Sequence, residues 1–132
     1  MVYLSLQQQF FREIHMSINV GDKQQINADS TFTFNVNYNE DCSLCTAILR
    51  QELKEKSNEA IFNVMVEGIG NFKCEGIADD EDKKIAHIQA YTLLFPYIQN
   101  MISRLVVNAG LPPLMIESAK MTLENVEVEN TK

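Results

Sequence analysis

Chemistry-bearing residues are scarce in this chain of 132 residues. There are two histidines, three cysteines and no Lys/Arg cluster longer than two residues, and the net charge is −7. The missing basic clusters argue against nucleic acid, whose binding rests on neutralising phosphates. An acidic surface instead favours basic partners, including positively charged peptide segments. His15 and His87 are the only imidazoles, and no Gly-rich phosphate loop or nucleophile elbow is present. Asp and Glu fall in loops and at element ends, not in a convergent set. No catalytic residue, metal ligand or cofactor site is therefore expected. The N-terminal MVYLSLQQQFFREIH has no basic leader and no small-residue cleavage site, so no secretory signal is expected. An odd number of cysteines in such a chain suggests free thiols in a reducing, cytoplasmic setting.

Cys42-x-x-Cys45 is half of many zinc and redox motifs, and Cys74 with His87 could complete four ligands. On a regular strand, however, positions i and i+3 face opposite ways, so the two sulfurs diverge. They are expected to behave as small hydrophobes.

What the chain does have is one long apolar stretch, Ile85 to Leu114, with no formal charge between Lys84 and Arg104. Ile88, Tyr91, Leu94 and Phe95 fall on one arc of a helical projection; Ile98, Met101, Ile102, Leu105 and Val106 fall on the next. A helix apolar on nearly every side must be buried on most of its surface. One small sheet covers one side, so the other side calls for a second copy of the chain. Pro96 predicts two helical pieces, roughly Lys83–Leu93 and Phe95–Asn108, with the proline in the first turn of the second. Gly110 and Pro112-Pro113 end the run. A membrane span is not expected, because His87, Gln89, Gln99, Asn100 and Ser103 would need partners inside lipid.

Ahead of the helix, alternation predicts four strands. Phe11–Val20 alternates Ile14, Met16, Ile18 and Val20 against His15, Ser17 and Asn19. Gly21-Asp22 signals a turn. Ser30–Tyr38 places Phe32, Phe34, Val36 and Tyr38 on one face. Cys42–Leu53 does the same with Cys45, Ala47, Leu49 and Leu53, and the polar run Lys54–Asn58 reads as a loop. Ala60–Cys74 alternates through Phe62, Val64 and Val66, with Gly68 and Gly70 inside it. Asp79 to Asp82 reads as a helix cap. The expected fold is α+β, a four-stranded antiparallel meander packed against one long Pro-kinked helix. One domain is expected over 1–132, with 125–132 a frayed tail.

Three local patterns resemble the SecB protein-export chaperone family. They are Ala60-Ile61-Phe62 through Gly76-Ile77, with Phe62, Val66, Gly70, Phe72, Gly76 and Ile77 in register with that family's last long strand; Ala86-His87 leading to Ala90-Tyr91; and Leu94-Phe95-Pro96-Tyr97 followed by an exit at Ala109-Gly110-Leu111-Pro112-Pro113-Leu114. The resemblance covers roughly Val20–Leu114. It implies an ATP-independent holdase for unfolded or unfinished polypeptides, assembled as a dimer of dimers and serving protein export. Some relatives instead hold an antitoxin of a toxin–antitoxin system, which makes a dedicated single-partner adaptor the alternative. A small-molecule-binding or enzymatic domain on the same architecture is a third, more distant reading, which an enclosed pocket would favour over an open groove. Carry-over places Phe34, Val36, Phe62 and Tyr97 along a peptide groove, and position adds Phe72, Phe95 and Leu114. The expected oligomer interface comprises Val64, Val66, Ile98, Met101, Ile102 and Leu105. Two departures stand out: 125–132 is too short and polar for the family's second helix, and the acidic position that docks the export motor SecA falls on Met65, with Glu67 two residues away. The second departure weakens the expectation of motor docking.

Overall fold

The computed structural model describes residues 1–19, 28–56, 62–112 and 116–121. It contains strands β1 (Tyr3–Ile18), β2 (Ala28–Tyr38), β3 (Leu44–Glu55) and β4 (Phe62–Glu75), then one helix, α1 (Asp80–Asn108). Every strand pair is antiparallel. The α+β expectation holds, and α1 packs on one face of the sheet. The turn expected at Gly21-Asp22, part of the loop after Lys56 and the tail 125–132 lie outside the described residues.

The sheet order is β1-β4-β3-β2. Strands β2, β3 and β4 form the expected meander. β1 departs from it and pairs with β4 instead of β2, which gives a Greek-key order. β1 is also longer than the alternation suggested. Its first half pairs Leu4 with Cys74 and Leu6 with Phe72, and shifts in register between Leu6 and Gln8 and between Phe11 and Glu13 break the period of two. Those irregularities hide the strand from a pattern search. β3 is the reverse case. It begins at Leu44, not Cys42, runs on through Lys54 and Glu55, and buries every second residue from Cys45 to Glu55.

The helix is continuous through Pro96, which corrects the expected two pieces. A proline inside a helix costs about 3 kcal/mol, since the Thr92 carbonyl loses its partner. Burial outweighs that. Ala86, Ala90, Leu94, Ile98, Ile102 and Val106 repeat every four residues, and all have 0% exposure. Each large aliphatic among them contributes about 1.5–3 kcal/mol, and the ladder runs across the proline on both sides. The small residues at its start bring the helix close to the sheet. Farther along, Gly68 performs the same service: a Cβ there would fall on Ile98 Cδ1.

Both helix ends follow from sequence. The Asp79 carboxylate accepts from the Asp82 N–H at 2.9 Å, and the Asp82 carboxylate accepts from the Ala78 N–H at 2.9 Å, a reciprocal cap. Asp80, Glu81 and Asp82 complement the positive end of the helix dipole. At the other end Gly110 takes φ +88°. The Gly110 N–H then reaches the Val107 carbonyl at 2.9 Å, and the Leu111 N–H reaches that of Val106 at 3.2 Å. This is the Schellman closure that only glycine adopts without strain.

Candidate functional site: an aromatic groove between β2 and α1

β2 is an edge strand, and its alternate residues Phe32, Phe34, Val36 and Tyr38 face α1. The helix answers with Lys83, His87, Tyr91, Phe95 and Gln99, spaced by four. A strand advances about 6.7 Å per two residues and a helix about 6 Å per four, so the two rows stay in step over a short distance. The Phe34 ring meets His87 edge-on with centroids 4.8 Å apart, and meets Tyr91 edge-on at 5.4 Å. Phe32 lies 5.7 Å from Tyr91, and Phe95 stacks on Tyr91 at 5.5 Å. Such pairs add about 0.5–1.5 kcal/mol beyond burial. At the end of the row the Tyr38 hydroxyl donates to the Lys83 carbonyl at 3.1 Å, while Lys83 Nζ sits 5.5 Å above the Tyr38 ring.

The groove is open. Phe32 is 40% exposed, whereas Tyr91 at its floor is 3% exposed. Burial pushes the phenolic pKa of Tyr38 and of Tyr91 up and the imidazole pKa of His87 down, so all three favour the uncharged form. Two acceptors mark the floor's length. Tyr91 Oη takes the Ala119 N–H at 2.9 Å, and Gln99 Oε1 takes the Ile116 N–H at 3.0 Å.

The residues expected along a peptide groove divide. Phe34, Val36 and Phe95 line it, half-buried. Phe62 and Phe72 do not: at 0% and 1% exposure they are enclosed between sheet and helix, because their alternation faces α1 at the centre of the sheet. Tyr97, 44% exposed, stands on the outer side of α1, since six residues turn the helix by about 240° from Tyr91. Leu114 lies outside the described residues. Among the residues expected at a subunit interface, Val64, Val66, Ile98 and Ile102 are wholly covered within one chain and offer no surface to a second. Met101 and Leu105 are half-buried and pack against the core, while Leu93 (39% exposed) and Tyr97 share the outer side of the helix and Val107 (46%) is exposed near its end. Tyr91, His87 and Gln99 were not assigned to the groove from sequence. Their spacing of four on a helix, opposite the alternating aromatics of β2, is the signal that finds them.

Cys42 lies in the β2–β3 turn with φ +57°, not on a strand. Cys45 and Cys74 are buried, and burial pushes both thiols up. Among the described residues no set of three His, Cys, Asp or Glu converges on a metal-sized site. No helix among them is long and apolar enough to cross a membrane.

On the other face of the sheet, Glu67 is 7% exposed and accepts from Arg12 Nε at 2.9 Å. That hydrogen bond, with the guanidinium charge, holds the Glu67 carboxyl below its ordinary pKa. Met65 and Ile69, at 5% and 6% exposure, flank it.

Comparison with known proteins agrees with this fold. The model of the family described as preprotein translocase subunit SecB matches residues 3–122. An uncharacterised protein of Methanocaldococcus jannaschii is 27% identical over 112 residues, covering 81% of this chain and 72% of that one. The protein-export protein SecB of Caulobacter vibrioides is 33% identical over 63 residues, covering 48% of this chain and 39% of that protein. Its counterpart in Nitrosomonas europaea is 32% identical over 71 residues, covering 54% and 44%. The matched stretch thus spans less than half the length of these SecB relatives. Among solved structures, a SecB-like chaperone of Mycobacterium tuberculosis in complex with an antitoxin peptide superposes with a TM-score of 0.67 at 19% identity, over 89% of this chain and 88% of that one.

Proposed function

Because the chain belongs to the SecB family, we propose that it is an ATP-independent holdase that takes extended segments of unfolded polypeptides into the groove between β2 and α1. The observation that carries this reading is the open row of Phe32, Phe34 and Phe95 around Tyr91. An apolar aromatic strip of this kind, left partly uncovered along a sheet edge, accepts side chains of many shapes. Export clients fit this chemistry, since a chain awaiting export exposes the apolar residues that folding would bury. The acidic net charge of −7 adds long-range attraction for basic segments. The protein works in the cytoplasm, where such clients are made.

Assembly is part of the reading. Leu93 and Tyr97, exposed on the outer side of α1, form an apolar patch that a second copy would cover. A dimer, or a dimer of dimers, would then carry several grooves, letting one long client engage more than one at once. Docking to the motor SecA is not included, because Met65 holds the position where the family places its acidic residue, and the neighbouring Glu67 is already bonded to Arg12.

The test is an aggregation assay with two unrelated unfolded clients and no nucleotide. Suppression at several-fold excess supports the holdase. No protection of either client rejects it. A second reading, a dedicated adaptor of one partner such as an antitoxin, is favoured by the likeness in fold to a chaperone solved with an antitoxin peptide. Pull-down from cells separates the two: many clients for the first, one partner for the second.

A further inference from the structure

Residues 116–121 place two backbone N–H groups on side chains of α1. Ile116 N–H donates to Gln99 Oε1 at 3.0 Å and Ala119 N–H donates to Tyr91 Oη at 2.9 Å. Gln99 and Tyr91 are eight residues apart on one stripe of the helix, which is about 12 Å along its axis. Three residues of extended chain reach about 10 Å, whereas three residues of helix advance only about 4.5 Å. The segment therefore lies extended and antiparallel to α1. It belongs to no helix or strand. Ile116, Ala119 and Met121 turn inward and pack on the core that includes Tyr91, while Glu117, Ser118 and Lys120 face solvent.

We infer that 116–121 is an internal stand-in for a client, and that clients bind by displacing it from Gln99 and Tyr91. The inference rests on the holdase reading and names its recognition chemistry. The two acceptors bind main-chain N–H groups, which every residue except proline supplies. The core that includes Tyr91 receives side chains as different as isoleucine, alanine and methionine. Together they fit an extended polypeptide without fixed sequence, carrying apolar residues at i, i+3 and i+5 and no proline at i or i+3. The segment belongs to no strand ladder or helix and its side chains are only half-buried or exposed, which puts it at the low-stability end of the molecule. Its occupancy lowers apparent client affinity by the fraction of time the groove is open.

Amide hydrogen exchange on the full chain tests this, with reduced, carboxymethylated α-lactalbumin as the unfolded probe and its binding followed independently by fluorescence anisotropy. The Ile116 and Ala119 amides are expected to be protected in the free protein and to lose at least tenfold of that protection when the probe saturates. The variant Ile116→Asp, which weakens the stand-in, is expected to bind the probe at least threefold more tightly. If the probe binds while both amides stay protected, clients use another surface and the inference is overturned with the holdase reading intact. Free amides without protection, or unchanged or weaker binding by Ile116→Asp, overturn it as well. No change in anisotropy at any concentration rejects the holdase reading itself, and this inference with it.

Discussion

Gly68 on β4 offers the sharpest test of how the helix is seated. Alanine in place of a strand glycine normally stabilises by about 0.5–1 kcal/mol, because the unfolded chain loses freedom. Here the added Cβ would fall on Ile98 Cδ1. Ile98 is completely buried and has no space to retreat into, since Leu94, Ile102 and Val66 around it are also at 0% exposure. Overpacking of this kind costs about 1–3 kcal/mol. The clash should win, leaving Gly68→Ala about 1.5 kcal/mol less stable, a fall in Tm of about 5 °C for a chain of this length. Ile98→Val removes the offending methyl and costs about 0.5–1.5 kcal/mol by itself. In the double variant the two losses should not add: the pair should be more stable than Gly68→Ala alone, with a coupling of about 1–2 kcal/mol. Thermal unfolding by circular dichroism, at one fixed protein concentration so that any assembly is held constant, gives all four corners of the cycle. A Gly68→Ala variant as stable as the parent, or strict additivity in the double, would refute the close approach of α1 to β4.

Phe34→Ser should weaken client binding while lowering Tm by only a few degrees, since Phe34 is half-buried at the groove; Phe62→Ala should cost about 3–5 kcal/mol, as deletion of a fully buried ring does, with urea midpoints distinguishing the two. Burial holds the His87 pKa below its unfolded value, so the unfolded state binds the extra proton first. Stability should therefore be fully present above about pH 6.5 and fall as pH drops from there towards the depressed folded value; His87→Gln should flatten that part of the pH–Tm curve. Leu93→Asp together with Tyr97→Asp should dissociate any assembly in light scattering without unfolding the chain, because these side chains are exposed on the outer side of α1; an unchanged mass at micromolar concentration would reject that interface. Binding to a basic client should speed up at low salt through the net charge of −7, and an association rate indifferent to ionic strength would exclude steering.

Local pattern carried much of this fold. The alternation of Phe32, Phe34, Val36 and Tyr38, and of Cys45 through Leu53, gave each strand its inner face. Asp79 to Asp82 gave the helix start, and Gly110 with Pro112-Pro113 its end. Each of these is decided by neighbours within a few residues, through capping hydrogen bonds, side-chain period or allowed φ, so it can be read from the chain alone. The motifs from Phe62 to Leu114 carried the family in the same way.

The pairing of β1 with β4 could not be read so, because a period of two says which side chains share a face and nothing about which strand lies alongside. Continuity of the helix through Pro96 was likewise a tertiary outcome: the local penalty is visible in sequence, but the burial that exceeds it comes from the sheet. The apolar helix left its own orientation open. Ala86, Ala90, Leu94, Ile98, Ile102 and Val106 compete on nearly equal hydropathy with Leu93, Tyr97, Met101 and Val107. Packing decided between them, since only the first row has the small residues that let the helix approach the sheet. That choice turned Tyr91 inward to meet Phe32 and Phe34, and it turned Tyr97 away. The groove exists because of this rotation, which no single stretch of the sequence encodes.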